Sequence, residues 1–167
     1  MRVIPIAVTS MSMLGLVAAQ GSCAPSGAHV QSGTQECHCN TDSSITCSSF
    51  QVCGVGNTNA NVDANSAYSA TVQCRNKGGQ IVDVKSQDIN ISKPVNNIRA
   101  KNGCLTIPEI TTGPAPTATQ FENQATCPNK NWSKQLLGGT IIDNYSYAVT
   151  FIGFSCSYVS FSGTCNA

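Results

Sequence analysis

Charge is scarce in this chain: only 10% of its 167 residues are Asp, Glu, Lys or Arg, aromatic residues make up 6%, Trp occurs once and His twice. So few titratable groups leave little material for acid–base or nucleophilic constellations. No GxSxG, HExxH, Walker loop or isolated cysteine nucleophile is present. The carboxylates Glu36, Asp42, Asp63, Asp83, Asp88, Glu109, Glu122 and Asp143 are scattered, and no spacing among them marks a glycosidase pair. No apolar run approaches the roughly 20 residues of a spanning helix. Nine Lys and Arg face eight Asp and Glu, and loss of Arg2 with a leader leaves eight against eight. A balance near zero gives no long-range pull towards a polyanion or an anionic surface. Neither nucleic acid nor a membrane is therefore expected as a partner, and no cofactor or metal is expected.

What is abundant is cysteine behind an export signal. Residues 1–19, MRVIPIAVTSMSMLGLVAA, carry one positive charge, an apolar middle, and Val17 and Ala19 where a signal peptidase reads. Cleavage after Ala19 leaves a chain of residues 20–167, expected to form one domain. All ten cysteines follow that point: Cys23, Cys37, Cys39, Cys47, Cys53, Cys74, Cys104, Cys127, Cys156 and Cys165. An even number in an exported chain reads as disulfides. Five lie within residues 20–53, a small, polar, cysteine-rich segment, and five lie beyond it. Because five is odd, full pairing requires at least one bridge from that segment to the body. Cys156 and Cys165 flank the last strand and are expected to form a local bridge.

Residues 68–84, YSATVQCRNKGGQIVDV, give the clearest local structure. Tyr68, Ala70, Val72 and Cys74 share one side of a two-residue period, Asn76-Lys77-Gly78-Gly79 supplies a turn, and Ile81, Val82 and Val84 resume a β-rich run. The pair reads as a hairpin that other strands must cover. Residues 44–52 alternate loosely, residues 54–67 read as an exposed loop, and residues 88–92 read as a short strand stopped by Pro94. Asn102-Gly103 signals a turn before Cys104-Leu105-Thr106-Ile107. Residues 111–119, TTGPAPTAT, read as a linker, and residues 120–126 as a strand. Tyr145, Tyr147, Val149 and Phe151 share a face, and residues 158–161 close the sheet. Eight or nine short strands with no helical period predict an all-β fold, a single disulfide-stapled antiparallel β-sandwich with a cysteine-rich N-terminal segment.

Four constellations bear on function. Cys37-His38-Cys39 has the look of a metal site, but thiols in an oxidising compartment favour bridges. A small ribonuclease would use His29 or His38 with a carboxylate such as Glu36, yet Glu36 and His38 sit close together on a chain expected to be solvated. Arg75, Lys77, Lys85, Lys93, Arg99 and Lys101 form a basic-leaning region read as a solvated sheet face. Trp132 is read mainly as a core plug; its polar surroundings, CPNKNWS, also allow stacking on a sugar ring. Asn90, Asn131 and Asn144 head N-x-Ser acceptor triplets for N-glycosylation.

With its leader, its size, its ten cysteines and its NKGGQ and CPNKNW turns, the chain resembles the small secreted cysteine-rich proteins of filamentous fungi, many of them candidate effectors. The resemblance implies an extracellular glycoprotein that works by binding a host or environmental partner and resists proteases through its bridges; it implies no catalytic residue. The expectation is a secreted non-enzymatic binding protein whose partner is an extracellular protein or a cell-wall polysaccharide. A carbohydrate-binding module using Trp132 is the first alternative, and a small secreted ribonuclease the second.

Overall fold

The computed structural model describes residues 23–165, so the expected leader at 1–19 lies outside the described residues. In chain order the elements are β1 (His29–Gly33), β2 (Cys37–Cys39), β3 (Ile45–Cys47), β4 (Phe50–Gly56), β5 (Ala60–Arg75), β6 (Ile81–Ile98), β7 (Gly103–Ile107), β8 (Ile110–Thr111), α1 (Ala118–Gln124), β9 (Ser133–Phe151) and β10 (Val159–Gly163). Among the described residues the fold is all-β apart from one short helix.

Strand β5 alternates without a break. Ala60, Val62, Ala64, Ser66, Tyr68, Ala70, Val72 and Cys74 are each at most 3% exposed, while the residues between them face outwards and are largely polar. A side-chain period of two over sixteen residues can bury one face completely. β5 lies between β6 and β9 in a four-stranded antiparallel sheet ordered β10-β9-β5-β6. The β5–β6 hairpin turns at Asn76, whose Oδ1 accepts from Gln80 N at 2.8 Å, and Gly79 takes a φ of 82° there.

Two three-stranded sheets, β1-β4-β7 and β2-β3-β8, complete the fold. Phe50, Val52, Leu105 and Ile107 from the first and Ile45, Cys47 and Ile110 from the second join the buried face of β5 in one hydrophobic cluster. Tyr147 and Phe151 of β9 enter the same cluster, and Tyr147 stacks on Phe161 with ring centroids 5.1 Å apart. The Tyr68 hydroxyl donates to Ser43 O at 2.9 Å, tying β5 to the N-terminal segment. Two chain crossings are so close that they require glycine. Gly54 has a φ of 76° and a Cβ there would collide with Gly27 O, while a Cβ on Gly33 would stand 2.5 Å from Ser49 O.

All ten cysteines are paired, as Cys23–Cys156, Cys37–Cys47, Cys39–Cys165, Cys53–Cys104 and Cys74–Cys127. Three of these bridges join residues 23–53 to the rest of the chain, which satisfies the parity requirement threefold. The expected local bridge between Cys156 and Cys165 is not formed. Each of those cysteines instead reaches back more than 120 residues, with sequence separations of 133 and 126.

Other expectations are also corrected. Among the described residues the expected eight or nine short strands are instead ten strands in three sheets, three of them 16, 18 and 19 residues long. Residues 54–67 are not a loop: Gly54, Val55 and Gly56 finish β4, and β5 begins at Ala60. Pro94 does not stop β6, because β6 is an edge strand of its sheet, where proline is tolerated. In place of the strand expected at 120–126, residues 118–124 form α1, entered from Thr117, whose N–H donates to Gln120 Oε1 at 2.8 Å. Phe121 and Ala125, four residues apart, are buried at 0% and 3% exposure, and α1 packs on β9.

The three bridges between the N-terminal segment and the body have a direct consequence. Limited proteolysis at the exposed Gly56-Asn57, between β4 and β5, is expected to leave two pieces that stay together on a non-reducing gel and separate only with reductant. Replacing both Cys23 and Cys156 by Ser should leave the nicked pieces joined through the other two bridges; release of the N-terminal piece without reductant would contradict the pairing.

The Tyr147 hydroxyl is buried with no hydrogen-bond partner, and burial pushes its pKa from 10.0 up to about 12. The unfolded chain ionises this group near 10, so its contribution to stability is intact below pH 10 and is lost as pH rises towards 12. Tyr147→Phe removes an unpaired polar atom and should leave stability at pH 7 within about 1 kcal/mol of wild type. Between pH 10 and 12 its urea midpoint should fall less steeply than that of wild type; parallel curves would refute the assignment.

Candidate functional site

The residues singled out in the sequence are dispersed rather than gathered. Cys37 and Cys39 are both in bridges, and His38 stands exposed between them on β2, opposite Thr46. Among the described residues no group of three or more His, Cys, Asp or Glu is arranged to hold a metal. His29 lies on β1, in a different sheet from His38. Its Nδ1 donates to Gly27 O at 2.8 Å, and its Nε2 lies 3.2 Å from Gln31 Oε1. Glu36 accepts from the Thr34 hydroxyl at 3.1 Å. Asp42 is held below the usual carboxylate range by the Ser44 hydroxyl at 2.7 Å, then by the Ser44 N–H at 3.0 Å, a local turn in water.

Trp132 is half-buried in a turn closed by its N–H on Asn129 O at 3.1 Å, next to the start of β9 and outside the hydrophobic cluster. It is not the core plug expected of it. Tyr68, Tyr147, Phe121 and Phe151 fill that role. Asn90, Asn131 and Asn144 are all exposed. Asn90 and Asn144 both pair in register with Ala67, from opposite sides, so the two acceptors flank one small residue on the outer face of the four-stranded sheet.

The basic-leaning region resolves differently. Arg99 and Lys101 leave the end of β6 on an extended arm that reverses at Asn102-Gly103, where φ is 51° and 78°. Two successive positive φ angles are the requirement of a type I′ turn, met by this Asn-Gly pair, and Lys101 and Cys104 exchange backbone hydrogen bonds of 2.8 and 3.0 Å across it. β7 then runs back with Cys104 and Thr106 on its outer side and Leu105 and Ile107 in the core. β4 adds Gln51 opposite Thr106 and Cys53 opposite Cys104. The result is an open depression of about 310 Å³ lined by Gln51, Arg99, Lys101, Cys104 and Thr106.

Cys104, held to Cys53 by its bridge, lines the depression together with two cations, an amide and a hydroxyl. No carboxylate lines it. Among the described residues, neither cation is in an ion pair, and none of the four polar side chains makes a side-chain hydrogen bond. Such a set offers the planar donor fork of a guanidinium, a mobile ammonium and two neutral hydrogen-bonding groups.

No family model, curated protein or solved structure matches this chain. The site therefore rests on its own geometry. Sequence reasoning found Arg99 and Lys101 as members of a long basic stretch but missed Gln51 and Thr106. The signal that could have found them is positional, since each lies two residues from a cysteine of the same bridge.

With every thiol paired, a thiol-reactive probe applied to the folded protein without reductant is expected to label nothing. Stoichiometric labelling of two or more cysteines would reopen a metal role for the segment around His38.

Proposed function

We propose that this chain is a secreted, disulfide-stapled, non-enzymatic binding protein of the fungal effector-like kind its sequence resembles, acting on an extracellular partner through the depression beside Arg99 and Lys101. The observation that carries the reading is the bridge pattern. Five bridges belong to an oxidising compartment. Among the described residues, no helix is long and apolar enough to cross a membrane. We read the architecture as a sandwich, the four-stranded sheet forming one layer and the two three-stranded sheets the other.

Glycosylation at Asn90 and Asn144 fits the same reading and gives it direction. Glycans there would cover the outer face of the four-stranded sheet and leave the β1-β4-β7 face open for contact. The second reading, a carbohydrate-binding module, is favoured by the half-exposed Trp132 in its polar turn. A glycan on the adjacent Asn131 would shield that ring.

Expression of the full-length chain in a eukaryotic secretory host is expected to yield, in the medium, a product that begins at Gln20 and carries five bridges by intact mass. Incubated with RNA, chitin, cellulose or β-glucan, it should release no soluble product; turnover of any of them would replace binding by catalysis. Sedimentation with the three insoluble polysaccharides tests the second reading. Retention that drops at least about tenfold in Trp132→Ala would support it, and no retention of wild type would sink it.

A further inference from the structure

The proposed function leaves the ligand open, and the Arg99–Lys101 depression narrows it. We infer that this depression binds an acidic sugar residue, its carboxylate, sulfate or phosphate group held between Arg99 and Lys101 and its hydroxyls hydrogen-bonded by Gln51 and Thr106. This deepens the binding reading and rests on it.

Three features of the site select that ligand. The first is unspent charge. In folded proteins an exposed Arg or Lys costs little when left in water, but two cations two residues apart on one arm repel each other, and here no carboxylate lies between them. An oxyanion relieves that repulsion and can accept from the guanidinium in bidentate fashion. The second is the character of the remaining lining. Gln51 and Thr106 each offer both donor and acceptor atoms, and the only sulfur is locked in a bridge. No aliphatic or aromatic side chain lines the depression. A lipid chain or an apolar peptide side chain would find little to bury against, whereas a polyhydroxylated ring meets donors and acceptors. The third is capacity. About 310 Å³ is at the lower end of the range for small-molecule sites, enough for one ring with its acidic group. A long polyanion read by its backbone would need an extended basic track, and the near-zero charge of the chain provides no field to attract one.

The place of the site in the fold adds to this. Arg99, Lys101, Cys104 and Thr106 belong to one hairpin closed by the Asn102-Gly103 turn, and the hairpin is fixed to β4 both by strand pairing and by the Cys53–Cys104 bridge. The backbone that carries the four polar groups is therefore held before any ligand arrives, which reduces the ordering cost of binding.

The test uses the secreted, five-bridged protein and titration calorimetry at low salt, with amide chemical shifts read in parallel. The probes are trigalacturonate, a sulfated trisaccharide, the neutral trisaccharide cellotriose, and sodium sulfate and sodium phosphate alone. The expected result is binding of at least one acidic trisaccharide, at least tenfold tighter than cellotriose and weakening as salt is raised. Shifts should concentrate at Gln51, Lys101, Cys104 and Thr106. Arg99→Gln and Lys101→Gln should each lower the affinity about tenfold or more, while Arg75→Gln and Lys93→Gln, exposed cations elsewhere, should leave it within twofold. Circular dichroism and the bridge count by mass confirm that each variant is folded. Equal affinity for cellotriose would overturn the inference, as would an equal loss in Lys93→Gln. So would binding of free sulfate or phosphate with no acidic trisaccharide bound, which would leave a bare ion site. If no acidic sugar binds while the protein is exported and turns nothing over, this inference falls and the binding reading survives. If an acidic trisaccharide is cleaved, both fall.

Discussion

The uninterrupted pleat of β5 is the constraint on which the other strands depend. Its sixteen residues pair along their length with two neighbours at once, and every departure from regular pairing is absorbed by the neighbours. β6 carries one extra residue between Val95 and Ile98, where Asn97 takes a φ of 56°, and another between Val84 and Gln87. β9 carries one at Asp143 and two more in the run Gly138-Gly139-Thr140, where Gly138 takes a φ of 70°. Strands of this length twist, and bulges are how a sheet accommodates twist while one face stays buried. Had a bulge fallen in β5, its later residues would have changed face and the row from Ala60 to Cys74 would have been split between core and solvent.

That division of labour explains what was legible. The alternation at residues 68–75 could be read directly because β5 keeps one phase throughout, and the same holds for Tyr147, Val149 and Phe151 beyond the bulges of β9. Residues 60–67 continue the same pattern, but with Ala, Asn and Ser in place of large aliphatics the period carries little hydrophobic contrast, so the segment reads as loop. In β6 and the first half of β9 the extra residues shift the phase, and a period-two pattern dissolves. Helix α1 was hidden by length: seven residues give barely two turns, and the Thr117-to-Gln120 capping signature with the Phe121/Ala125 pair was its only trace. The turns at Asn76–Gly79 and Asn102-Gly103 were legible because positive φ demands particular residues. The candidate site was half legible, since its charges stand out in the sequence but the β4–β7 pairing and its bridge, which set Gln51 and Thr106 beside them, cannot be deduced from cysteine spacing.

The bridges and the core act on different parts of the chain. Sheet β2-β3-β8 contributes Ile45, Cys47 and Ile110 to the cluster, while β1 is exposed along all five residues. A segment with so few buried side chains cannot offset the entropy of its own ordering. The bridges from Cys23, Cys39 and Cys53 do it covalently, by restricting the unfolded chain. Their loops are long, and closing a loop of about 100 residues is worth roughly 4.7 kcal/mol in the chain-entropy treatment, against about 3 kcal/mol for one of 15. Such contributions overlap when loops are nested, so the sum is less than the parts. Even one is comparable with the whole net stability of a domain of this size, about 5–15 kcal/mol.

Covalent restraint and strand pairing converge at one place on the surface. The Cys53–Cys104 bridge joins residues that already face each other across β4 and β7, so it adds little to the path of the chain that pairing had not fixed. What it adds is permanence to a hairpin whose outer side holds two cations and a hydroxyl without partners, with Gln51 of β4 set beside them. A polar surface is ordinarily left to fluctuate, because water satisfies it at no structural cost. Here the turn demands Asn102 and Gly103, the core demands Leu105 and Ile107, and the bridge demands Cys104, so the alternate positions, Arg99, Lys101 and Thr106, are the ones free to be chosen for what they meet outside.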